Sequence, residues 1–184
     1  PKSEEPTNPS RSLALPRIVR AMHELIGTWR LVEWTFTVND SRPTHPWGGD
    51  PVGLLTYSED GRMSASLMSV GRPPAPTRTL SAAPVDIRAA AAAGYLSYAG
   101  AYTLEGDDVL HHIELSLMPN WVGRTERRHI EWLATESGKD LILSTPPTRT
   151  DGGRTAVNRL RWGKIRTGAD AGDPGKLQTR SNHR

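Results

Sequence analysis

The chain has 184 residues, a net charge of +3 and no cysteine. This length suits one domain with a buried core, and the absence of cysteine excludes a disulfide framework, a thiolate metal site and a cysteine nucleophile. Much of the excess positive charge lies toward the two ends, which predicts a solvated surface and no nucleic-acid partner.

The ends of the chain differ in composition from its middle. Residues 1–21 are rich in proline, serine and charge, and residues 167–184 are rich in glycine, aspartate and lysine. This composition predicts disordered ends around one domain at residues 22–166. There is no run of about 18 apolar residues and no apolar segment of a secretory signal. Together with the lack of cysteine, these features predict a cytoplasmic protein without a membrane partner.

The middle of the chain is a series of short strand-like runs with turn residues between them. An alanine run after Pro84 predicts one short α-helix over residues 84–93. The short, regular spacing of the runs predicts an all-β fold, a single up-and-down antiparallel barrel of about eight or nine strands. The runs are residues 31–38, 53–57, 62–68, 99–105, 109–117, 125–133, 141–144 and 155–165.

A Gly-x-Trp opening marks the first strand, at Gly27 to Trp29, and an arginine of residues 158–162 is placed to lie across the Trp29 indole. This pairing resembles the calycin or lipocalin arrangement. Further blocks are similar to the small bacterial and fungal lipocalin-like domain proteins, at residues 51–57, 60–65, 94–102, 111–114 and 119–123. The resemblance implies a barrel with a small-molecule cavity.

A turn at Gly106 fixes the register of one hairpin. It sets Tyr102 opposite His111 and Ala101 opposite His112. The face that carries His111 is mostly apolar, so we expect His111 to point inward and His112 outward. A ligand or catalytic role for His111 stands beside a structural one, as a core histidine satisfied by a tyrosine.

The first strand allows two registers. If Trp29 plugs the barrel base, Glu33 points inward, where burial would raise its pKa and suit it to general acid or base chemistry. The competing register turns Val32, Trp34 and Phe36 inward instead.

The strand at residues 125–133 has its apolar face at Ile130 and Trp132, which brings Arg128 inward as well. An inward arginine is suited to bind a carboxylate or enolate oxygen, or to pair with Glu33. The sequence therefore gives a candidate catalytic set of His111, Tyr102, Glu33 and Arg128.

A second set of residues is predicted to contact a ligand, although packing or turn roles are open for several of them. The predicted ligand-binding residues are Tyr57, Met63, Tyr98, Ile113, Leu115, Asn120, Trp121 and Trp132. The adjacent His111 and His112 face opposite sides of a strand and cannot chelate one metal, so we predict no metal site and no cofactor. A haem held by a single inward histidine remains an alternative.

Two functions follow from the resemblance. The first is a cofactor-independent enzyme that performs a cyclisation, isomerisation or proton transfer on a polyketide- or terpenoid-type metabolite. The second is a noncatalytic carrier or protective binding protein for a small hydrophobic molecule. Either would act as a monomer or a homodimer. Polar groups that converge on one point of the cavity wall favour the enzyme, and polar groups paired with one another favour the carrier.

Overall fold

A computed structural model of the chain describes residues 17–39, 41–136, 138–150 and 152–166. The predicted disordered tail and the first 16 residues of the predicted leader lie outside these ranges. The described elements are α1 (Arg17–Leu25), β1 (Gly27–Val38), β2 (Val52–Tyr57), β3 (Arg62–Met68), α2 (Val85–Ala93), β4 (Tyr95–Glu105), β5 (Asp108–Ser116), β6 (Thr125–Thr135), β7 (Gly138–Ser144), β8 (Thr148–Arg149) and β9 (Thr155–Lys164).

The strands form one closed antiparallel barrel. Strands β1 to β7 pair in chain order, and β9 closes the barrel because it pairs with both β7 and β1. The two-residue strand β8 adds to the edge of β9. The predicted all-β barrel is confirmed, with eight strands in the closed sheet and one extra.

Within the described residues, two α-helices accompany the barrel. Helix α2 was predicted from its alanines, and none of its residues is buried, so intrinsic propensity accounts for it better than packing does. Helix α1 overlaps the end of the predicted leader and was not foreseen; its last residue, Leu25, is fully buried in the core. Among the described helices, none is long and apolar enough to cross a membrane.

The barrel has two ends, which we call the base and the mouth. The base is the end where β1 begins: α1 reaches it, and Trp29 there donates its indole N–H to the Leu25 carbonyl at 2.8 Å. The Trp29 ring packs on Trp132 at 5.9 Å, and the Lys164 ammonium lies 5.0 Å from its centroid. The prediction of an arginine over Trp29 is wrong, because the pairing of β1 with β9 puts Lys164 opposite Trp29.

A bulge interrupts β1 at Val32. Leu31 pairs with Trp162 and Glu33 pairs with Arg161, so two consecutive residues of β9 face three residues of β1. Trp162 is buried inside the barrel, so its neighbour Arg161 faces outward, and Glu33 faces outward with it. The predicted inward position of Glu33 is therefore wrong.

The same bulge changes which side chains enter the barrel along β1. Before it, Trp29 and Leu31 are buried in the core. After it, Trp34 and Phe36 face the interior near the mouth. Each of the two registers that the sequence left open therefore holds for one half of the strand.

A second bulge lies in β5 at Glu114. Ala99 pairs with Leu115 and Gly100 pairs with Ile113, so Glu114 has no partner position on β4. Beyond this point the inward and outward positions exchange, and Leu115 is 69% exposed. The prediction that Leu115 faces a ligand is wrong for this reason.

We expect Gly100→Ala to destabilise the barrel by about 3 kcal/mol. A Cβ at Gly100 would overlap the carbonyl oxygen of His112, a backbone atom that moves only if the bulge rearranges. Urea unfolding measures the change. Gly49→Ala is the matched control, because a Cβ there meets no atom of the described structure. Equal unfolding midpoints for the two variants would contradict the account of the bulge.

Candidate functional site

A cavity of about 500 Å³ occupies the mouth half of the barrel. Its walls are mainly aromatic and aliphatic, formed by Trp34, Phe36, Leu67, Leu96, Trp121 and Trp162. Threonines of residues 145–150, together with Arg124 and Asn158, contribute polar atoms. Large apolar walls with a few polar groups are typical of sites that hold a small organic molecule.

The inner end of the cavity is polar. Tyr98, Glu126 and Arg128 all line it. Arg128 is only 7% exposed, and its guanidinium donates to the Glu126 carboxylate at 3.1 Å and to the Arg127 carbonyl at 2.8 Å. The prediction that Arg128 points inward is confirmed, but its carboxylate partner is Glu126 rather than Glu33.

A buried histidine lies directly behind this polar end. His111 has no exposed surface. Its Nε2 lies 2.7 Å from the Tyr57 hydroxyl and its Nδ1 lies 3.3 Å from the Tyr98 hydroxyl. Burial, with the nearby Arg128 charge, lowers the pKa of His111 to about 3. The imidazole is therefore neutral at physiological pH, and neither nitrogen is free to ligate a haem iron.

The polar groups of this region form a continuous series from the core to the cavity. Tyr57 contacts His111, which contacts Tyr98, and Tyr98 is close to Arg128. Burial raises the pKa of Tyr98, and the guanidinium of Arg128 opposes that increase. Tyr98 is thus a protonated phenol that connects the buried imidazole to the cavity wall.

The four predicted catalytic residues do not meet at one point. Arg128 lines the cavity, whereas His111 faces the interior as predicted but lies behind the cavity wall. Tyr102 pairs with His111 across the hairpin as expected, yet its hydroxyl donates to the Ser58 carbonyl at 3.1 Å. Glu33 is on the outer face of the barrel.

The predicted ligand-binding residues fall into three groups: those that line the cavity, those buried in the core beside it, and those that lie elsewhere. Tyr98 and Trp121 line the cavity. Tyr57, Met63 and Ile113 are buried in the core and do not line it.

The remaining predicted contacts lie elsewhere. Asn120 is exposed in a short 3₁₀ turn, Pro119–Trp121. Of the three residues in this turn, Trp121 lines the cavity and Asn120 does not. Trp132 packs on Trp29 at the base, and the Lys139 ammonium lies over the Trp132 ring, 4.2 Å from its centroid. Leu115 is on the surface, as described above.

The sequence analysis missed much of the cavity wall. Trp34 and Phe36 were predicted to face inward only in the second of the two registers considered for the first strand. The Trp34 indole N–H donates to the Asn158 side-chain oxygen at 2.9 Å. Leu160 and Trp162 belong to the alternating run of β9 and pair with Trp34 and Leu31 across the barrel closure. The alternation of that run was the available signal for these two residues.

The described residues contain no group of three or more histidine, cysteine, aspartate or glutamate side chains placed to hold a metal ion. His111, the most buried histidine, is held by two phenols instead.

Comparison with known proteins gives a match to a family model and a match to a solved structure. The family model described as a lipocalin-like domain matches residues 26–165, most of the chain. No curated protein matches. A crystal structure of an uncharacterized protein from Bacteroides eggerthii is 15% identical, with a TM-score of 0.36, and the match covers 73% of this chain and 98% of that chain.

Proposed function

Since the chain belongs to the lipocalin-like domain family, we propose that it binds a small, largely apolar molecule inside the barrel. The observation that carries this proposal is the cavity of about 500 Å³ with five aromatic side chains in its walls, Trp34, Phe36, Tyr98, Trp121 and Trp162. Burying apolar ligand surface against such walls stabilises a complex by roughly 25 cal/mol per Å² before the entropic cost of association.

The polar groups near the cavity support binding rather than chemistry. Glu126 neutralises Arg128, and two tyrosines occupy both nitrogens of His111. Groups that are already paired orient a ligand well, and the described wall has no unpaired carboxylate or imidazole to act as a base. This arrangement favours a carrier or protective binding protein for a hydrophobic metabolite.

A catalytic role is the second candidate. The observation in its favour is that Tyr98, a cavity-lining phenol, contacts the buried imidazole of His111. If Tyr98 gives its proton to one atom of a bound substrate and takes a proton back from another, an isomerisation is completed with no net gain or loss of protons, and the hydrogen bond from His111 stabilises the intervening phenolate. A cyclisation in polyketide- or terpenoid-type metabolism would also use the closed shape of the cavity.

Filling the cavity tests the binding proposal. Ala156 is 7% exposed and lines the cavity, so Ala156→Phe places a ring where a ligand would lie. We expect the wild-type protein to bind an uncharged, environment-sensitive apolar dye, N-phenyl-1-naphthylamine, and Ala156→Phe to weaken this binding at least about tenfold, equivalent to about 1.4 kcal/mol. Dye fluorescence titrations measure both affinities.

The matched control is Ala134→Phe, because Ala134 is exposed on β6 far from the cavity wall. We expect this variant to bind the dye like the wild type. Equal weakening by both substitutions, or none by Ala156→Phe, would mean that the dye binds outside the barrel and would contradict the proposal. Native mass spectrometry of the purified wild type then gives the mass of any molecule that it retains.

A further inference from the structure

The hydrogen bonds behind the cavity determine which way the Tyr98 hydroxyl points. Tyr57 is 1% exposed, and its hydroxyl has His111 Nε2 as the one hydrogen-bond partner that the described residues give it. Burial raises the pKa of Tyr57 well above its ordinary value, so the phenol keeps its proton. A buried O–H without an acceptor is costly, so Tyr57 donates to Nε2.

This donation selects one tautomer of the histidine. A neutral imidazole has one N–H and one acceptor nitrogen. Because Nε2 accepts from Tyr57, Nδ1 carries the hydrogen and donates to the Tyr98 hydroxyl oxygen, at 3.3 Å. The Arg128 guanidinium is close to the same hydroxyl, and because it has no acceptor atom it offers the Tyr98 O–H no partner. The Tyr98 oxygen therefore accepts on its buried side, and its O–H is left to donate into the cavity.

We propose that the inner end of the cavity recognises an uncharged carbonyl oxygen of an otherwise apolar ligand, with the Tyr98 O–H as the donor. The inference rests on the proposed function, since it names the ligand class of the same site.

The charges at this end select an uncharged acceptor. Glu126 lines the cavity and holds Arg128 at 3.1 Å, so the guanidinium is already neutralised. A ligand carboxylate at this inner end would approach the Glu126 carboxylate as well as Arg128. Arg124, the other arginine that lines the cavity, is exposed, so water screens its charge. A ketone, aldehyde or ester oxygen accepts the Tyr98 O–H without this repulsion.

The test compares two probes of similar shape, 2-acetylnaphthalene and 2-ethylnaphthalene, which differ by a carbonyl oxygen. Equilibrium dialysis gives the Kd of each for the wild type and for Tyr98→Phe. The ratio of the four constants cancels the different water solubilities of the probes. We expect Tyr98→Phe to reduce the preference for the ketone about fivefold, the effect of one neutral hydrogen bond, and to leave 2-ethylnaphthalene binding unchanged.

Two further tyrosine variants separate direction from packing. Tyr57→Phe leaves the cavity wall intact but frees Nε2, so the imidazole can accept from Tyr98 at Nδ1; we expect the ketone preference to fall at least about twofold. Tyr102→Phe removes a hydroxyl that donates to the Ser58 carbonyl and not to His111, and we expect no change in preference.

The outcomes distinguish failure of the carbonyl inference from failure of the proposed binding function. If both probes bind and Tyr98→Phe leaves their ratio unchanged, the carbonyl inference is overturned and binding in the barrel stands. If neither probe binds the wild type, the proposed function fails and the inference fails with it. A loss of preference in Tyr98→Phe and Tyr57→Phe, but not in Tyr102→Phe, is the expected result.

Discussion

Lowering the pH from 7 to 4 is expected to remove about 3 kcal/mol of the free energy of unfolding through His111 alone. In the folded protein the pKa of His111 is lowered to about 3, mainly by burial and then by the Arg128 charge, from its ordinary value of 6.5. Between these values the unfolded chain binds a proton that the folded protein does not. Stability is therefore lost as the pH falls through this window.

Urea unfolding at several pH values measures this effect. Carboxylates also titrate in the window, so the wild type is compared with His111→Gln, in which the contribution of this imidazole is absent. His112→Gln is the control, because His112 lies on the outer face between Thr103 and Thr125. We expect the control to keep the wild-type dependence on pH and His111→Gln to have a smaller one.

A direct measurement supports the comparison even if His111→Gln folds poorly. The nitrogen chemical shifts of the His111 imidazole in the wild type report its protonation. We expect a neutral ring with the hydrogen on Nδ1 down to at least pH 5. Protonation of His111 near its ordinary pKa would show that burial does not control it and would remove the basis of the pH prediction.

The barrel was predictable because its signals are local. Turn residues such as Gly61 and Gly106 have positive φ values of 78° and 63°, and the strands between turns alternate inward and outward side chains. The pairing of Glu105 with Asp108 and of Tyr102 with His111 followed from the Gly106 turn alone. Helix α2 followed from its alanines in the same way.

The site was less predictable because two bulges determine it. One extra residue at Val32 and one at Glu114 each exchange the inner and outer faces of a strand. These shifts place Glu33 and Leu115 outside and Trp34 inside. The space limit at Gly100 arises from a neighbouring strand, which the sequence of β4 does not reveal.

The chemical roles were also decided by contacts between distant residues. The sequence placed His111 correctly on the inner face, but the two phenols that occupy its nitrogens come from β2 and β4. Glu126, the partner of Arg128, was absent from the predicted site. It lies two residues away on the same strand, so the spacing that turned Arg128 inward also turned Glu126 inward.

The largest loss of stability from a single substitution is expected for Trp29→Ala, about 4 kcal/mol. Trp29 is fully buried, packs on Trp132 and lies beneath Lys164. Its truncation leaves a cavity at the base and removes the donor to the Leu25 carbonyl, which holds α1 against the barrel. Urea unfolding followed by far-ultraviolet circular dichroism measures the change.

Two matched variants identify the cause of this loss. Trp29→Phe keeps a ring in the base but cannot donate to Leu25, so we expect an intermediate loss of about 2 kcal/mol. Trp47→Ala removes a tryptophan that is only partly buried and packs edge-to-face on Trp34 at 4.9 Å near the mouth, and we expect a loss below about 1.5 kcal/mol. If Trp29→Ala were no more damaging than Trp47→Ala, the closed base would not contribute to the stability of the barrel. The expected ranking of stability losses, with Trp29→Ala above Trp47→Ala, would mean that packing at the base stabilises the barrel more than packing at the mouth. The mouth can then keep an open cavity for a ligand.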